Sequence, residues 1–247
     1  MATDQYFIIT PGSVENGVAI LDGAEFHHCV RVSRVRPGDA VKLLDGRGGT
    51  YEARVERIDD RRAYLRVLAL TRADALPPVD MALAIIKSPR FDLAVEKCTE
   101  LGVRRLIPLA SERSVWRGTG GAASFKIERI QRKVIASCKQ SGQPYFPEIA
   151  RITDIGALTE DLSRYRASYL ADQDAGAPSA TIGRSPGGAV LGIVGPEGGF
   201  SPAERSMLVD GGALPLSLGP FRLRSETAAF CLLYRLMAEL LPPHPDL

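Results

Sequence analysis

Residues 192–204 read GIVGPEGGFSPAE and combine the marks of a buried strand, a glycine-rich turn and the beginning of a helix. The apolar residues before the glycines are typical of a strand covered on both faces. Ser201 is the predicted N-cap of the helix, Pro202 fits its first position, and Glu204 completes a capping box. The stretch therefore predicts a strand, a turn and a helix at the carboxyl edge of an α/β sheet, where such folds bind ligands.

The glycine spacing in this stretch differs from that of the common phosphate-binding loops. Gly195, Gly198 and Gly199 do not follow the GxGxxG spacing of dinucleotide-binding folds, and no lysine follows them as in a Walker loop. Pro196 lacks an amide donor, and Glu197 would repel a pyrophosphate. The loop suits a ligand that is not an anion, such as one with a positive centre and an adenine ring. A tight turn without a ligand is the alternative interpretation.

A second stretch, residues 216–229, repeats the arrangement of strand, Gly-Pro turn and helix as LSLGPFRLRSETAA. Ser225 is predicted to cap this helix, and Glu226 lies near the positive end of its dipole. Two such loops at consecutive strand ends can face each other across one cleft. An apolar stripe, predicted to form core or dimer contacts, consists of Ala229, Leu233, Leu236 and Leu240.

The composition is that of a globular protein, with 247 residues of which 45% are hydrophobic and 24% charged. No apolar run reaches membrane-spanning length, and the first residues lack the pattern of a secretion signal. The four cysteines are scattered without a CxxC pair, so we expect reduced thiols and a cytoplasmic location. His27, His28 and His244 do not combine with them at zinc-ligand spacing, so we expect no metal.

Two regions differ in hydrophobic pattern. Residues 1–72 contain short alternating strands between tight turns, which predicts a small β-barrel. After a linker at 74–78, strand-like runs alternate with helical stretches over residues 76–247, which predicts an α/β domain with a mostly parallel sheet. The predicted strands of the second region are MALAII, RLIPLA, ASYLA, AVLGIV and ALPLSL, and its predicted helices lie around 90–101, 124–140, 201–210 and 225–240.

Positive charge is concentrated in the middle of the chain. The net charge is only +2, but residues 87–140 carry 12 basic and 5 acidic side chains. A basic segment in a near-neutral chain indicates either a polyanion-binding face or a solvated helical face.

Five segments of the sequence together resemble one known family. They are VGPEGGFSPAE, LSLGPFRLRSETAA, KSPRFDLAVEKCTELGV at 87–103, SERS at 111–114 and IASCKQSGQ at 135–143. Their order and spacing are similar to those of the bacterial 16S ribosomal RNA uridine-N3 methyltransferases, which belong to the SPOUT class. The sequence departs from the family pattern at Phe221 and Arg222, where Arg-Ile is common, at Ser225, where threonine is common, and at Lys139, where an acidic residue is usual.

The resemblance implies a PUA-like, RNA-binding barrel at 1–72 and a SPOUT methyltransferase domain with a deep trefoil knot at 76–247. It also implies a homodimer through the SPOUT domain, S-adenosylmethionine as cofactor, no metal, and methylation of N3 of one uridine in 16S ribosomal RNA of the small subunit. The implied cofactor-binding residues are Leu170, Ile193, Val194, Gly195, Pro196, Glu197, Gly198, Gly199, Leu218, Gly219, Leu223, Arg224, Thr227 and Ala228.

Basic side chains are expected to neutralise RNA phosphates, with binding that weakens as salt rises. On the helix around 124–140, Ile127, Ile130 and Val134 mark the buried side, and Lys126, Arg129 and Lys133 form a solvated or RNA-facing strip. The expected RNA-binding residues are Arg31, Arg34, Lys87, Arg90, Arg113, Lys139, Gln140 and Arg222.

The implied reaction assigns roles to three charged residues. Uridine N3 carries a proton at neutral pH, so an enzyme must remove it, stabilise the resulting anion, or both. Arg224 can stabilise charge on the uracil or anchor a phosphate. Glu197 or Glu226 can accept the proton, and Glu226 can instead serve only as an acidic residue at a helix N-terminus. These three are the candidate catalytic residues.

Two other functions remain as alternatives. One is a non-catalytic RNA-binding or ribosome-assembly factor, and the other is a SPOUT methyltransferase that acts on another RNA nucleotide. The intact GPEGG and LRSETA segments favour an enzyme. A serine hydrolase is excluded because the α/β region contains only His244, in a proline-rich tail unsuited to a triad.

Overall fold

The chain folds into two compact units. The computed structural model describes residues 5–115, 127–175 and 187–241. The first unit comprises Met1–Ala75 with Ile135–Phe146, and the second comprises Leu76–Val134 with Pro147–Leu247. The four cysteines are free thiols. No helix in the described part of the chain is both long and apolar enough to cross a membrane.

A five-stranded sheet forms the first unit. Its elements are β1 (Tyr6–Ile8), β2 (Val18–Leu21), α1 (Gly23–His27), a π-helical segment (His28–Val32), β3 (Ala40–Leu44), β4 (Gly49–Ile58) and β5 (Ala63–Arg72). The strand order is β1-β3-β4-β5-β2, with β1 and β3 parallel and the other pairs antiparallel. The sequence predicted a small β-barrel, whereas the described strands form a sheet whose edges are β1 and β2.

Alternating burial orients β4 in this sheet. Tyr51, Ala53 and Val55 are buried in the core of the first unit, as the period-two pattern predicts. The turn before the strand is closed by the buried carboxylate of Asp45. It accepts the main-chain N–H of Gly49 at 2.8 Å and the hydroxyl of Tyr51 at 3.2 Å. The turn thereby sets the register of β4 against β3.

A parallel sheet covered by helices forms the second unit, as the alternation in the sequence predicts. Its strands are β6 (Val79–Ala84), β7 (Arg105–Ala110), β8 (Glu148–Ile149), β9 (Thr153–Asp154), β10 (Ala167–Ala171), β11 (Val190–Val194) and β12 (Ala213–Leu216). Its helices are α2 (Ser88–Glu100), α3 (Ile127–Ser141), which continues into the first unit, α4 (Ile155–Asp161), α5 (Pro202–Asp210) and α6 (Ser225–Leu240). The order is β12-β10-β11-β6-β7-β8, with β9 also pairing with β7, and all pairs are parallel.

Helices cover both faces of this sheet at β11. On one face, Leu191 and Ile193 pack in a cluster with Leu158 of α4 and Leu208 of α5. On the other face, α6 packs on β6, β11 and α2. Burial on both sides explains why β11 is an uninterrupted apolar run rather than an alternating one.

The order of the strands positions the site. β10 lies between β12 and β11, and the three strands are parallel, so their carboxyl ends meet at one edge of the sheet. The two glycine-containing loops follow β11 and β12. They therefore begin on either side of the end of β10, although more than twenty residues separate them in the chain.

The two helix starts beside these loops differ in their caps. At α5 the predicted capping box is confirmed, because Glu204 N–H donates to Ser201 Oγ at 3.3 Å and Ser201 N–H donates to Glu204 Oε2 at 2.9 Å. At α6 the predicted cap is wrong. Arg224, with extended backbone, precedes the helix without a capping side-chain bond, and Ser225 is the first helical residue. Of the predicted α6 stripe, Ala229, Leu233 and Leu236 are buried in the core.

Gly192 allows α6 to approach β11 closely. A Cβ atom at this position would lie 2.5 Å from Met81 Sδ and 3.0 Å from Leu232 Cδ2. Both neighbours are completely buried, so neither side chain has free space into which it can move. The absence of a side chain at residue 192 is therefore a packing requirement.

We expect Gly192→Val to lower the free energy of unfolding by about 1–3 kcal/mol, because the added atoms overpack this contact. The control is Gly156→Ala on the exposed surface of α4, where an added Cβ meets no atom closer than 3.4 Å. That change should leave stability unchanged or raise it by up to about 1 kcal/mol. Urea unfolding followed by circular dichroism measures both, and equal stability of the two variants would contradict the packing argument.

Candidate active site

A cleft of about 490 Å³ lies at the carboxyl edge of the parallel sheet. The loops after β10, β11 and β12 line it, together with the first turn of α6. Ile193 is completely buried beneath it, and Arg224 and Thr227 are not among the lining residues. The predicted cofactor-binding residues that do line it are Leu170, Val194, Gly195, Pro196, Glu197, Gly198, Gly199, Leu218, Gly219, Leu223 and Ala228.

The two Gly-Pro loops contact each other directly. Arg222, in the loop after β12, donates through Nη2 to the main-chain oxygen of Glu197 at 2.7 Å. The loop after β12 is also fixed to its own helix, because Arg235 Nη1 donates to Ser217 O at 3.1 Å. The expected meeting of the two loops across one cleft is therefore observed, and the guanidinium of Arg222 is one of the contacts between them.

Arg90, in the first turn of α2, contacts both the loop after β11 and the first turn of α6. Its Nη1 lies 2.9 Å from Glu197 Oε1, and its Nε lies 3.7 Å from Glu226 Oε1. The Glu226 side chain is only 7% exposed, and its Oε2 has no hydrogen-bond partner in the described part of the chain. A buried carboxylate needs a nearby cation to remain charged. Arg90 supplies that cation and ties α6 to the loop after β11.

The main chain of the first loop is held by two further interactions. Arg113 Nη1 donates to Gly198 O at 2.8 Å, and Gly199 N–H donates to Pro196 O at 2.8 Å. Gly199 has φ of +69°, a conformation that glycine adopts without strain. The loop is therefore a braced turn with a defined shape.

Asp172 is a residue of the cleft that the sequence analysis missed. It follows β10, its side chain is 10% exposed, and its Oδ2 lies 2.6 Å from Arg205 Nη2. A polar residue directly after the predicted strand ASYLA was the available signal, since side chains at carboxyl strand ends face the ligand site. The other lining residues that the prediction omitted from the cofactor site are Arg113, Ala171, Gln173, Asp174, Phe200, Arg205, Phe221, Arg222 and Ser225.

Among the residues that the structure describes, charges of both signs line the cleft in equal number. The arginines are Arg113, Arg205 and Arg222, and the carboxylates are Asp172, Asp174 and Glu197. Such a lining favours a ligand that carries both positive and negative groups over a simple polyanion.

The three candidate catalytic residues have different surroundings. Glu197 lines the cleft and is paired with Arg90. Glu226 is buried behind the cleft lining. The Arg224 side chain is exposed at the start of α6 and makes no ion pair with a described residue. The structure therefore brings only Glu197 to the cleft.

Some of the predicted RNA-binding side chains are exposed, and the others form hydrogen bonds or ion pairs within the protein. Arg31, Arg34, Lys87 and Gln140 are exposed. Arg90, Arg113 and Arg222 hold the cleft loops, as described above. Lys139 is 15% exposed and pairs with Glu25 Oε1 at 2.6 Å in the first unit. Lys139 is therefore not an exposed cation, which corrects the expectation that it faces RNA.

The two described members of the predicted basic strip on α3 are partly exposed and form ion pairs with α2. Arg129 pairs with Asp92, and Lys133 Nζ lies 2.9 Å from Glu96 Oε2, so both cations bind α2. Lys126 lies outside the described residues. Ile130 and Val134 are buried as predicted. Within the described ranges, no group of three histidine, cysteine or acidic residues is arranged to hold a metal ion.

Two family models match the sequence. A model described as an RNA methyltransferase domain matches residues 74–237, a range that contains most of the second unit. A model described as an RNA methyltransferase PUA domain matches residues 21–68, which lie in the first unit.

Curated relatives and a solved structure are similar over most of the chain. The ribosomal RNA small subunit methyltransferase E of Mycobacterium tuberculosis is 32% identical over 219 residues, which cover 86% of this chain and 83% of the relative. The protein of the same name from Synechocystis is 30% identical, covering 94% and 77%. The crystal structure of the Neisseria gonorrhoeae ribosomal RNA small subunit methyltransferase E bound to S-adenosyl methionine has a TM-score of 0.83 at 26% identity, covering 96% and 98%.

We expect Arg90→Ala to loosen the loop after β11, because Glu197 loses its partner and Glu226 loses its nearest cation. The amide of Gly199 should exchange with deuterium at least about tenfold faster, equivalent to about 1.4 kcal/mol of local opening. Glu226→Gln, added to Arg90→Ala, should restore part of the lost stability because the buried charge is then absent. The control is Arg129→Ala, which breaks the pair with Asp92 in the same unit. Unchanged exchange at Gly199 in Arg90→Ala would refute the role of Arg90.

Proposed function

The chain belongs to the ribosomal RNA small subunit methyltransferase E family of RNA methyltransferases, and we propose that it methylates N3 of one uridine in 16S ribosomal RNA with S-adenosylmethionine as the methyl donor. The observation that carries the proposal is the convergence of the two Gly-Pro loops on one cleft with a mixed-charge lining. Because the donor already carries an activated methyl group, the reaction needs no metal.

The residues of the cleft fit this cofactor. Its volume of about 490 Å³ is within the range of small-molecule sites, roughly 300–1,000 Å³. The ligand carries a sulfonium, an amino group, a carboxylate and an adenine, and the arginines and carboxylates among the described lining residues complement these groups. We assign apolar contacts with the adenine to Leu170, Leu218 and Leu223, and hydrogen bonds to the main chain of Val194, Gly195 and Gly199. Ile193 supports these residues from the core.

When bound, S-adenosylmethionine supplies an electrophilic methyl group. The residues of the chain then have to hold the uracil in line and deal with the N3 proton. We assign proton acceptance to Glu197, because it is the one candidate carboxylate that lines the cleft. Glu226 is a positioning residue that fixes Arg90, and Arg224 contacts the RNA through a phosphate or the uracil oxygens.

RNA binding is proposed for exposed cations of both units. In the first unit, Arg31 and Arg34 are exposed on the π-helical segment and the loop after it, and neither pairs with a described carboxylate. In the second unit, Lys87 is exposed directly before α2. These side chains can neutralise phosphates without breaking an existing ion pair. We accordingly assign residues 1–72 of the first unit to an RNA-binding PUA-like domain. We also propose that its strands form a barrel.

A homodimer and a trefoil knot are proposed for the methyltransferase domain at 76–247. The knot is supported by the family and by the return of α6 to the centre of the sheet at β6 and β11. The dimer is supported by the family and by exposed apolar side chains, Leu214 and Tyr234, of which 45% and 64% are exposed. Sedimentation of the purified protein tests the dimer, and a monomer at micromolar concentration would refute it. We expect the protein to act in the cytoplasm, where its substrate is made.

Wild-type protein, incubated with small ribosomal subunits or naked 16S ribosomal RNA and methyl-labelled S-adenosylmethionine, should produce 3-methyluridine. Mass spectrometry of the digested RNA identifies the nucleoside and, after fragment mapping, its position. Arg224→Ala should form the product at least about tenfold more slowly, with cofactor affinity within about twofold of wild type, because Arg224 lies outside the cleft lining.

The outcomes of this assay separate the alternatives. A different methylated nucleoside would indicate another target atom. Tight RNA binding without cofactor binding or product would indicate a non-catalytic assembly factor. Equal losses of turnover and cofactor affinity in Arg224→Ala would refute its assignment to the RNA.

We expect the double variant Arg31→Gln and Arg34→Gln to bind RNA more weakly, with a salt dependence that is shallower by about one unit of slope for each lost phosphate contact. The control is Lys139→Gln, which removes a cation already engaged with Glu25. That variant should lose stability while its salt dependence is unchanged. Filter binding at several salt concentrations measures the RNA affinity and its salt dependence for both variants. A shallower salt dependence in Lys139→Gln, with no change in the double variant, would assign the phosphate contact to Lys139 instead of to Arg31 and Arg34.

A further inference from the structure

An exposed aromatic side chain stands at the cleft without a role in the function proposed above. Phe221 lines the cleft from the loop after β12. Its side chain is 79% exposed, the largest exposed fraction among the large hydrophobic side chains in the described part of the chain. A phenyl ring in water forgoes the stabilisation that burial would give it. Its position at a ligand cleft therefore calls for a partner that covers the ring.

The backbone of the loop that contains Phe221 is restrained. The next residue, Arg222, donates to Glu197 O at 2.7 Å across the cleft. The preceding Pro220 has a fixed φ, and Gly219 N–H donates to Ser217 Oγ at 3.4 Å. The backbone on both sides of Phe221 is thus restrained, so the ring is presented at a defined place on the cleft.

The charges around the ring indicate the chemistry of the partner. Arg222 and Arg113 line the same cleft, and the exposed Arg224 follows three residues later. Aromatic rings beside cations are the arrangement by which proteins hold single-stranded nucleic acid, with bases stacked on rings and phosphates paired with cations. A base stacked on Phe221 would lie at the edge of the cleft assigned to the cofactor.

We propose that Phe221 is the stacking platform for the target uracil of the RNA substrate. The inference rests on the proposed function and adds to it the residue that positions the base. Stacking tolerates any base, so Phe221 orients the ring while other contacts select uracil. The uracil must leave its own stack to reach the cleft, and Phe221 replaces the neighbour that it loses.

Three substitutions separate stacking from general packing. Phe221→Ala and Phe221→Leu should raise the KM for RNA at least about fivefold, whereas Phe221→Tyr should remain within about twofold of wild type, because only an aromatic ring can stack. Affinity for S-adenosylmethionine, measured by calorimetry, should be unchanged in all three. The control is Met207→Ala, which truncates a 46% exposed side chain on α5 outside the cleft lining and should leave the KM unchanged.

A spectroscopic measurement reports the contact directly. Trp116 is the single tryptophan of the sequence, so Phe221→Trp in a Trp116→Phe background places the only indole at the cleft. Titration with an RNA oligonucleotide containing the target uridine should quench its fluorescence, and an oligonucleotide with an abasic site at that position should not.

The results that would overturn the proposal differ from those that would refute the function. An unchanged KM for Phe221→Ala in an enzyme that forms 3-methyluridine would remove Phe221 from the RNA site. Weakened cofactor affinity would assign the ring to adenine, and a shift of sedimentation toward monomer would assign it to a contact between copies of the chain. Absence of any methylated product from wild-type protein would instead contradict the proposed function itself.

Discussion

The ion pairs of Arg90 are the constraint on which the cleft depends. One guanidinium lies 2.9 Å from Glu197 in the loop after β11 and 3.7 Å from Glu226 in the first turn of α6. Exposed ion pairs contribute little to stability, typically about 0–1 kcal/mol, but Glu226 is 7% exposed, and a buried carboxylate without a cation is strongly unfavourable. These ion pairs therefore mainly fix the positions of the loop after β11 and of α6, and contribute little to overall stability. The charge of Glu226 holds Arg90, and Arg90 in turn holds the loop that carries Glu197.

This arrangement can form only because of how the sheet is ordered. β6 lies beside β11, so α2 and its Arg90 begin next to the loop after β11. Gly192 then lets α6 pack closely on β11, against Met81 of β6, which brings Glu226 within reach of the same arginine. A Cβ atom at residue 192 would lie 2.5 Å from Met81 Sδ and 3.0 Å from Leu232 Cδ2, so this close approach of α6 to β11 requires glycine. The close packing of α6 on β11 therefore contributes to the core and also sets the position of Glu226 near Arg90.

The sequence predicted the elements of the second unit better than it predicted the contacts of its side chains. Strand and helix positions follow from local periodicity and turn chemistry, and the capping box of Ser201 and Glu204 is contained within four residues. The pairing of Arg129 with Asp92 or of Lys139 with Glu25 joins residues that are distant in sequence, so no local pattern reveals it. The helical turns between β2 and β3 escaped prediction for another reason. At five residues each, they are too short to display a helical period. Asp172 was missed because its importance comes from the neighbours of β10 in the sheet, which only the fold specifies.

The engaged cations change how the basic segment should be interpreted. Within residues 87–140, Arg90 and Arg113 hold the loop after β11, Arg104 holds the fully buried Asp80, and Arg129 and Lys133 hold α2. The charges of Arg90, Arg104, Arg129 and Lys133 are balanced by carboxylates inside the protein, whereas Arg113 donates to a neutral main-chain oxygen. The local surplus therefore overstates the positive potential available to a polyanion. Electrostatic attraction to RNA must then come from the smaller number of exposed cations. Because that attraction is weaker, recognition of the RNA depends more on contacts at the cleft. This division of contacts favours selection of one base among many. Phosphate contacts carry no information about sequence, whereas contacts with an extruded base do.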